Sequence, residues 1–263
     1  MPMLDIDGAN LYYTVKGNGI PIVFIHPPVL TSSNFKYQVE GLSRNFKVIT
    51  FDIRGHGRSQ YSDTPIIYSL IVKDIKRLLD HLKIQKAFIC GYSTGGSIAL
   101  EYLLNAPDRA LGGIVISGMS EVKDRELKQK ISLGISLANK KAVPLLALAI
   151  SWGNSNKQEL FNKMFNEALT GDSINIEQYF RYSLHYNCTN QLKNIPLPVL
   201  LVYGEKDKPF HYYAELLHKN LPYNELQVIN HVKHQIPTKS ANDLNRLITH
   251  FIETTMNEVT GEY

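Results

Sequence analysis

Cysteine is scarce: Cys90 and Cys188 are the only two in a chain of 263 residues. Two thiols cannot build the multi-bridge framework of a small secreted domain, and no Cys/His cluster has the spacing of zinc ligands. Reduced thiols in a cytosol are the expectation. Long apolar runs are missing as well. The longest, residues 142–150, is broken by Pro144 and falls short of the ~20 residues that span a bilayer, so no integral membrane association is expected. The start, Met-Pro-Met-Leu-Asp-Ile-Asp, lacks the basic segment and apolar run of a secretory signal, which predicts a cytoplasmic location. Charge of one sign is also lacking. Lys and Arg number 28 against 24 Asp and Glu, a net +4, with no block of five or six like charges, and nucleic acid is not expected as a partner. No internal repeat or low-complexity tract occurs.

What remains is an ordinary globular mixture, 44% apolar and 20% charged, able to bury enough surface to offset chain entropy. The length suits one large core carrying an insertion. Two short apolar runs, Leu4 to Ile6 and Leu11 to Val15, flank Asp7-Gly8, a hairpin dipeptide. The runs Pro21 to Ile25, Lys47 to Phe51, Ala87 to Cys90, Ile114 to Ile116 and Val199 to Tyr203 are too uniformly apolar for strands wet on one face and read as central parallel strands. Helix-length segments lie between them. In Ile66 to Leu82, for instance, Ile71, Ile75, Leu78, Leu79 and Leu82 recur on one stripe, with Asp74 among them. Strands alternating with helices predict an α/β fold with a mostly parallel sheet. The alternation pauses over residues 120–192, a helical insertion, so the core comprises 1–119 and 193–263. The pattern resumes with a helix near Tyr212 to Leu221, a strand near Leu226 to Ile229 and a helix after Pro237.

Chemistry concentrates at Gly91-Tyr92-Ser93-Thr94-Gly95-Gly96, which follows a strand and opens a helix. A serine in G-x-S-x-G at such a turn is raised above the sheet, and glycines flank it because a Cβ there would strike neighbouring backbone. Ser93 is the candidate nucleophile. Its hydroxyl needs a base, and the base needs a carboxylate to orient it. Asp207, in Tyr203-Gly-Glu-Lys-Asp207, ends a strand at the same edge of the sheet and is the preferred acid, with Glu205 and Glu121 as rivals; a helix cap is its plainer alternative. Among nine histidines, His231 and His234 follow both serine and acid and lie just past a strand. His234 is preferred because a histidine needs a few residues of loop to swing back over the sheet, and His231 abuts the strand end.

These segments together resemble the α/β-hydrolase superfamily, whose chain order is serine, acid, histidine. The resemblance is carried by the elbow at Ser93, Phe24-Ile25-His26-Pro27, Asp52-Ile-Arg-Gly-His-Gly-Arg-Ser59, Val202-Tyr-Gly-Glu-Lys-Asp207, and Val228-Ile229 followed by His234. It implies an eight-stranded sheet flanked by helices, with residues 120–192 as a helical cap over the site. It makes His26 a loop-holding residue rather than a base, and gives 52–59 a structural role, with its charges pairing among themselves. It also implies an oxyanion hole of two amides, Thr94 N–H and a second one residue past the glycine usual after the third strand; Val29 N–H is the candidate for the second here, the alternative being a weak hole. Here the sequence departs from the pattern. Where members usually carry His-Gly, this chain has His26-Pro27-Pro28-Val29, and Pro28 has no N–H to donate. Lys233 replaces the glycine usual before the histidine and adds positive charge beside it.

Trp152, Phe161 and Phe165 are expected to line an apolar substrate pocket under the cap, with Met164, Tyr179 and Phe180 as further candidates. The expected activity is hydrolysis of esters of small to medium apolar carboxylic acids through an acyl-enzyme on Ser93, with a small-molecule substrate and neither metal nor organic cofactor. One alternative is carbon–carbon bond hydrolysis or lyase chemistry on the same triad. Another is a ligand receptor or stress regulator that keeps the fold. The sequence leaves the oligomeric state open.

Overall fold

The structure is a computed structural model that describes residues 2–6, 8–139 and 141–260, the side chains of 259 and 260 apart. Eight strands among the described residues form one sheet: β1 (Met3–Asp5), β2 (Asn10–Lys16), β3 (Pro21–Ile25), β4 (Lys47–Phe51), β5 (Ala87–Tyr92), β6 (Ala110–Ile116), β7 (Val199–Gly204) and β8 (Asn224–Ile229). Their spatial order is β1-β2-β4-β3-β5-β6-β7-β8. β1 and β2 pair antiparallel, as do β2 and β4, while every pairing from β4 through β8 is parallel.

The helices are α1 (Lys36–Leu42), α2 (Tyr68–His81), α3 (Thr94–Asn105), α4 (Arg125–Asn139), α5 (Val143–Asn154), α6 (Gln158–Leu169), α7 (Ser173–His185), α8 (Lys208–Asn220), α9 (Ile236–Lys239) and α10 (Ala241–Thr260). α4 to α7 occupy the interval between β6 and β7, where the strand pattern pauses.

The central strands are apolar throughout because helices cover both of their faces. Successive side chains alternate between two cores. Val23, Ile25, Ile89, Leu201 and Tyr203 join α2, α3 and α8 on one side. Ile22, Phe24, Phe88, Cys90 and Val202 join α1 and α10 on the other. Each fully buried large side chain contributes roughly 1.5–3 kcal/mol. A third cluster gathers Ile131, Val143, Leu146, Ala147, Ala168, Ile176 and Phe180 from the four inserted helices, and Val29 from the loop after β3 belongs to it.

Differences from the sequence reading have local causes. β6 starts at Ala110 rather than Ile114. Gly112 and Gly113 belong to the strand, where a Cβ on Gly112 would sit 2.8 Å from the Phe88 ring and 2.9 Å from the Pro198 carbonyl. α1 escapes the pattern because it is short, and α8 begins at Lys208, with Pro209 in its first turn. Of the hairpin pair, Asp7 lies outside the described residues; Gly8 has φ +82°, and Ile6 N–H donates to the Ala9 carbonyl (2.9 Å) across the turn.

Asp74 sits on the buried face of α2 because Arg54 meets it: Nε donates to Oδ2 at 2.7 Å and an Nη to Oδ1 at 2.8 Å, with both side chains buried. The 52–59 stretch therefore pairs outward as well as within itself. Arg58 N–H donates to Asp52 (3.0 Å), while its guanidinium reaches Glu167 on α6 (2.9 Å).

Candidate active site

β5 ends at Tyr92, and the next residue, Ser93, has φ 55° and ψ −122° before α3 begins at Thr94. A non-glycine residue holds this left-handed geometry only where the surroundings over-determine it. Here they do. A Cβ on Gly91 would lie 2.0 Å from the Gly95 carbonyl, and one on Gly95 would lie 2.2 Å from the Ile25 carbonyl. Helix, strand and turn are packed backbone to backbone, and the serine is raised at the carboxyl edge of the sheet.

β7 ends at Gly204, and Asp207 stands at the N-terminal boundary of α8 without making a side-chain cap bond. Its carboxylate instead lies 2.7 Å from His234 Nδ1. The loop after β8 carries His234 back over the sheet, and its Nε2 lies 3.0 Å from Ser93 Oγ. Three side chains distant in the chain thus form one relay. A carboxylate can only accept, so the proton sits on Nδ1 and the Nε2 lone pair faces the serine hydroxyl.

The imidazole is held from several sides. The Phe210 ring lies 4.3 Å from it and the Tyr92 ring 5.4 Å, centre to centre. Ser117 Oγ donates to the His234 carbonyl (3.3 Å). None of Tyr92, Ser117 or Phe210 was singled out from the sequence. Tyr92 and Phe210 do stand one residue before the serine and three after the acid, a positional signal that exists without specifying contact.

The rival residues are occupied elsewhere. His231 is exposed, and its N–H donates to Glu205 (2.7 Å), so the second-choice base and acid pair with each other at the surface. Glu121 accepts from Asn187 (2.9 Å). Lys233 is exposed. His26 is fully buried: it accepts from Ile53 N–H at Nε2 (2.9 Å), and its Nδ1 lies 2.9 Å from the Pro27 carbonyl. It bridges two loops, and burial pushes its pKa down to about 4.

Pro28 and Val29 form a turn after β3, and Val29 takes φ 71°. Proline followed by a positive-φ residue is the arrangement of a type II turn, whose third position normally holds glycine. A β-branched residue there is strained. Burial of Val29 among the inserted helices holds it in place. Thr94 is the first residue of α3, so its N–H has no acceptor within the helix.

The inserted helices are tied to this edge. Tyr92 Oη donates to Asn154 on α5 (2.9 Å), and Tyr179 Oη on α7 donates to the His26 carbonyl (2.9 Å). Glu167 on α6 accepts from Thr31 (2.6 Å). Phe161 and Phe165 stack at 5.7 Å, and Phe165 packs on the cluster that contains Val29. Trp152 does not join a pocket beneath these helices: it is 67% exposed. At about 100° per residue it points roughly opposite to Asn154, whose side chain reaches inward. That correction removes Trp152 from the pocket inferred from sequence.

Among the described residues no group of three or more His, Cys, Asp or Glu side chains is placed to hold a metal ion.

Residues 20–237 match the sequence profile described as alpha/beta hydrolase fold. The chain belongs to the α/β-hydrolase family. It is 25% identical over 265 residues to the human serine hydrolase BPHL, covering 94% of this chain and 84% of that protein. It is 26% identical over 221 residues to a non-heme chloroperoxidase of Streptomyces lividans, covering 77% and 80%. Among solved structures, the esterase EaEST from Exiguobacterium antarcticum superposes with a TM-score of 0.84 at 22% identity, covering 94% of this chain and 97% of that one.

Proposed function

We propose that this α/β hydrolase cleaves esters of small to medium apolar carboxylic acids through an acyl-enzyme on Ser93. The observation that carries the reading is the Asp207–His234–Ser93 relay, with separations of 2.7 and 3.0 Å.

Ser93 Oγ attacks the ester carbonyl as its proton passes to His234 Nε2, and Asp207 stabilises the imidazolium. Collapse of the tetrahedral adduct breaks the bond to the leaving alkoxide, which takes that proton from His234. Water then attacks the acyl-enzyme with His234 as base, releasing the acid and restoring the serine. The oxyanion is held by the amides of Thr94 and Val29, the former reinforced by the N-terminal end of α3. Each donor of this kind is worth about 2.7–4 kcal/mol of barrier. The strain at Val29 supports a functional role for its turn. Residues 120–192 act as the cap, and their apolar cluster around Val29, with Phe165 packed against it, supports an apolar acyl group. No cofactor enters these steps. Both cysteines are free and buried, in keeping with a reducing cytoplasm.

The test is hydrolysis of p-nitrophenyl esters of increasing acyl length by the wild type, Ser93→Ala and His234→Ala. Activity confined to the wild type is expected; comparable rates in all three refute the triad. Pro28, which cannot donate a hydrogen bond, favours a second reading, carbon–carbon bond cleavage or elimination on the same triad. Weak ester turnover by a protein whose Ser93 still reacts with a fluorophosphonate selects that reading.

A further inference from the structure

The outward face of α5 is apolar where a surface helix is ordinarily polar. Leu145, Leu148 and Trp152 are 59%, 49% and 67% exposed. With exposed Ala149 they fall within about 100° of arc on the helix. No charged residue occurs from 142 to 156, while Lys141 and Lys157, at the two ends, are exposed. Trp152 meets the Phe161 ring of α6 edge-on at 5.7 Å. These two rings, with Lys157 and Lys239, line a surface hollow of about 280 Å³ whose lining includes no carboxylate. The Lys239 ammonium donates to the Ser155 carbonyl at the end of α5, which fixes one positive charge beside the indole.

We propose that this face docks peripherally on an anionic phospholipid surface, with Leu145, Leu148 and Trp152 entering the acyl boundary and the lysines meeting lipid phosphates. Apolar side chains including Trp on one face of a helix, bordered by lysine, are what interfacial binding requires. No helix among the described residues is long and apolar enough to cross a membrane, so the contact is made in the plane of the interface. A second copy is the poorer occupant. In a two-fold contact the same patch meets itself, so one lysine-bordered face meets another, whereas phosphates neutralise the lysines. The inference does not depend on the chemistry at Ser93.

Trp152 is the only tryptophan of the chain, so its fluorescence reports on the patch alone. Vesicles of equal parts phosphatidylcholine and phosphatidylglycerol at low salt should shift its emission to the blue and shield it from iodide. Vesicles of phosphatidylcholine alone should do neither. Lys141→Gln and Lys157→Gln should each weaken partitioning about fivefold, and Leu148→Ser roughly tenfold. The two lysine variants alter only exposed side chains, so the charge test survives if the leucine variant fails to fold. Four results overturn the proposal: no shift with anionic vesicles, an equal shift with neutral ones, the same shift from inorganic phosphate, or a shift without vesicles that grows with protein concentration alongside a dimer in sedimentation.

Discussion

Replacing Asp207 with asparagine keeps the volume of the side chain and removes the charge facing His234. The present contact, 2.7 Å from Nδ1 to Oδ2, requires an Nδ1–H donor because the carboxylate has no proton to give. An asparagine can turn its NH2 toward Nδ1 instead. The ring proton then moves to Nε2, the atom 3.0 Å from Ser93 Oγ, and the base is blocked with every heavy atom in place. The loss expected for a triad inverted in this way is about 10⁴-fold in kcat, or about 5.5 kcal/mol of barrier. Steady-state hydrolysis of a p-nitrophenyl ester measures it, with thermal unfolding alongside to show that the fold is intact. Glu205→Gln is the control: that carboxylate accepts from the backbone of exposed His231 and should leave the rate within about twofold. A kcat for Asp207→Asn within tenfold of wild type, or an equal loss from Glu205→Gln, refutes the assignment of the acid.

Asp74→Asn should cost about 3–5 kcal/mol in denaturant unfolding because it strands the buried Arg54 guanidinium, whereas Glu126→Gln, at the surface pair with Lys130, should cost no more than about 0.5 kcal/mol; similar losses would contradict the burial argument. Burial holds His26 and His56 neutral, with pKa values lowered to about 4 and about 3. Because these lie below the unfolded value of ~6.5, the unfolded chain binds more protons in between. Stability is therefore full above about pH 6.5 and falls on acidification, by about 3 kcal/mol for His26 alone by pH 4. A flat denaturation midpoint across that window, or a His56→Phe variant with an equally steep acid limb, would count against it. Pro28→Gly should leave esterase activity unchanged or lower, since the turn already sets Val29 at positive φ; a faster variant would show that a donor is missing.

Much of this was legible in the sequence for a physical reason. Central strands covered on both faces must be apolar, so β3, β4, β5 and β7 announced themselves, and the elbow at Ser93 requires glycines that stand out as spacing. The choice of His234 over His231 followed from reach: a loop must extend past the strand before it can return. Other features were hidden because they depend on partners far along the chain. That β6 reaches back over Gly112 and Gly113 to Ala110 shows only once Phe88 and Pro198 are placed beside them. The bond from Tyr92 to Asn154 joins residues with no pattern between them. Trp152 is expected in an apolar pocket under the cap with the other aromatics, and nothing local reveals that its side of α5 faces outward.

Glu121 and Asn187, beyond the two ends of the inserted helices, face each other as an isolated antiparallel bridge and share a side-chain bond of 2.9 Å. The polypeptide leaves the sheet and re-enters it through a single doorway. A foreign cassette cut at those two positions would present the same pair of neighbouring ends, so the closure entropy of the excursion would hardly change with its length. The inserted helices can therefore be exchanged as one unit, while the elbow, frozen by backbone contacts on every side, tolerates almost nothing.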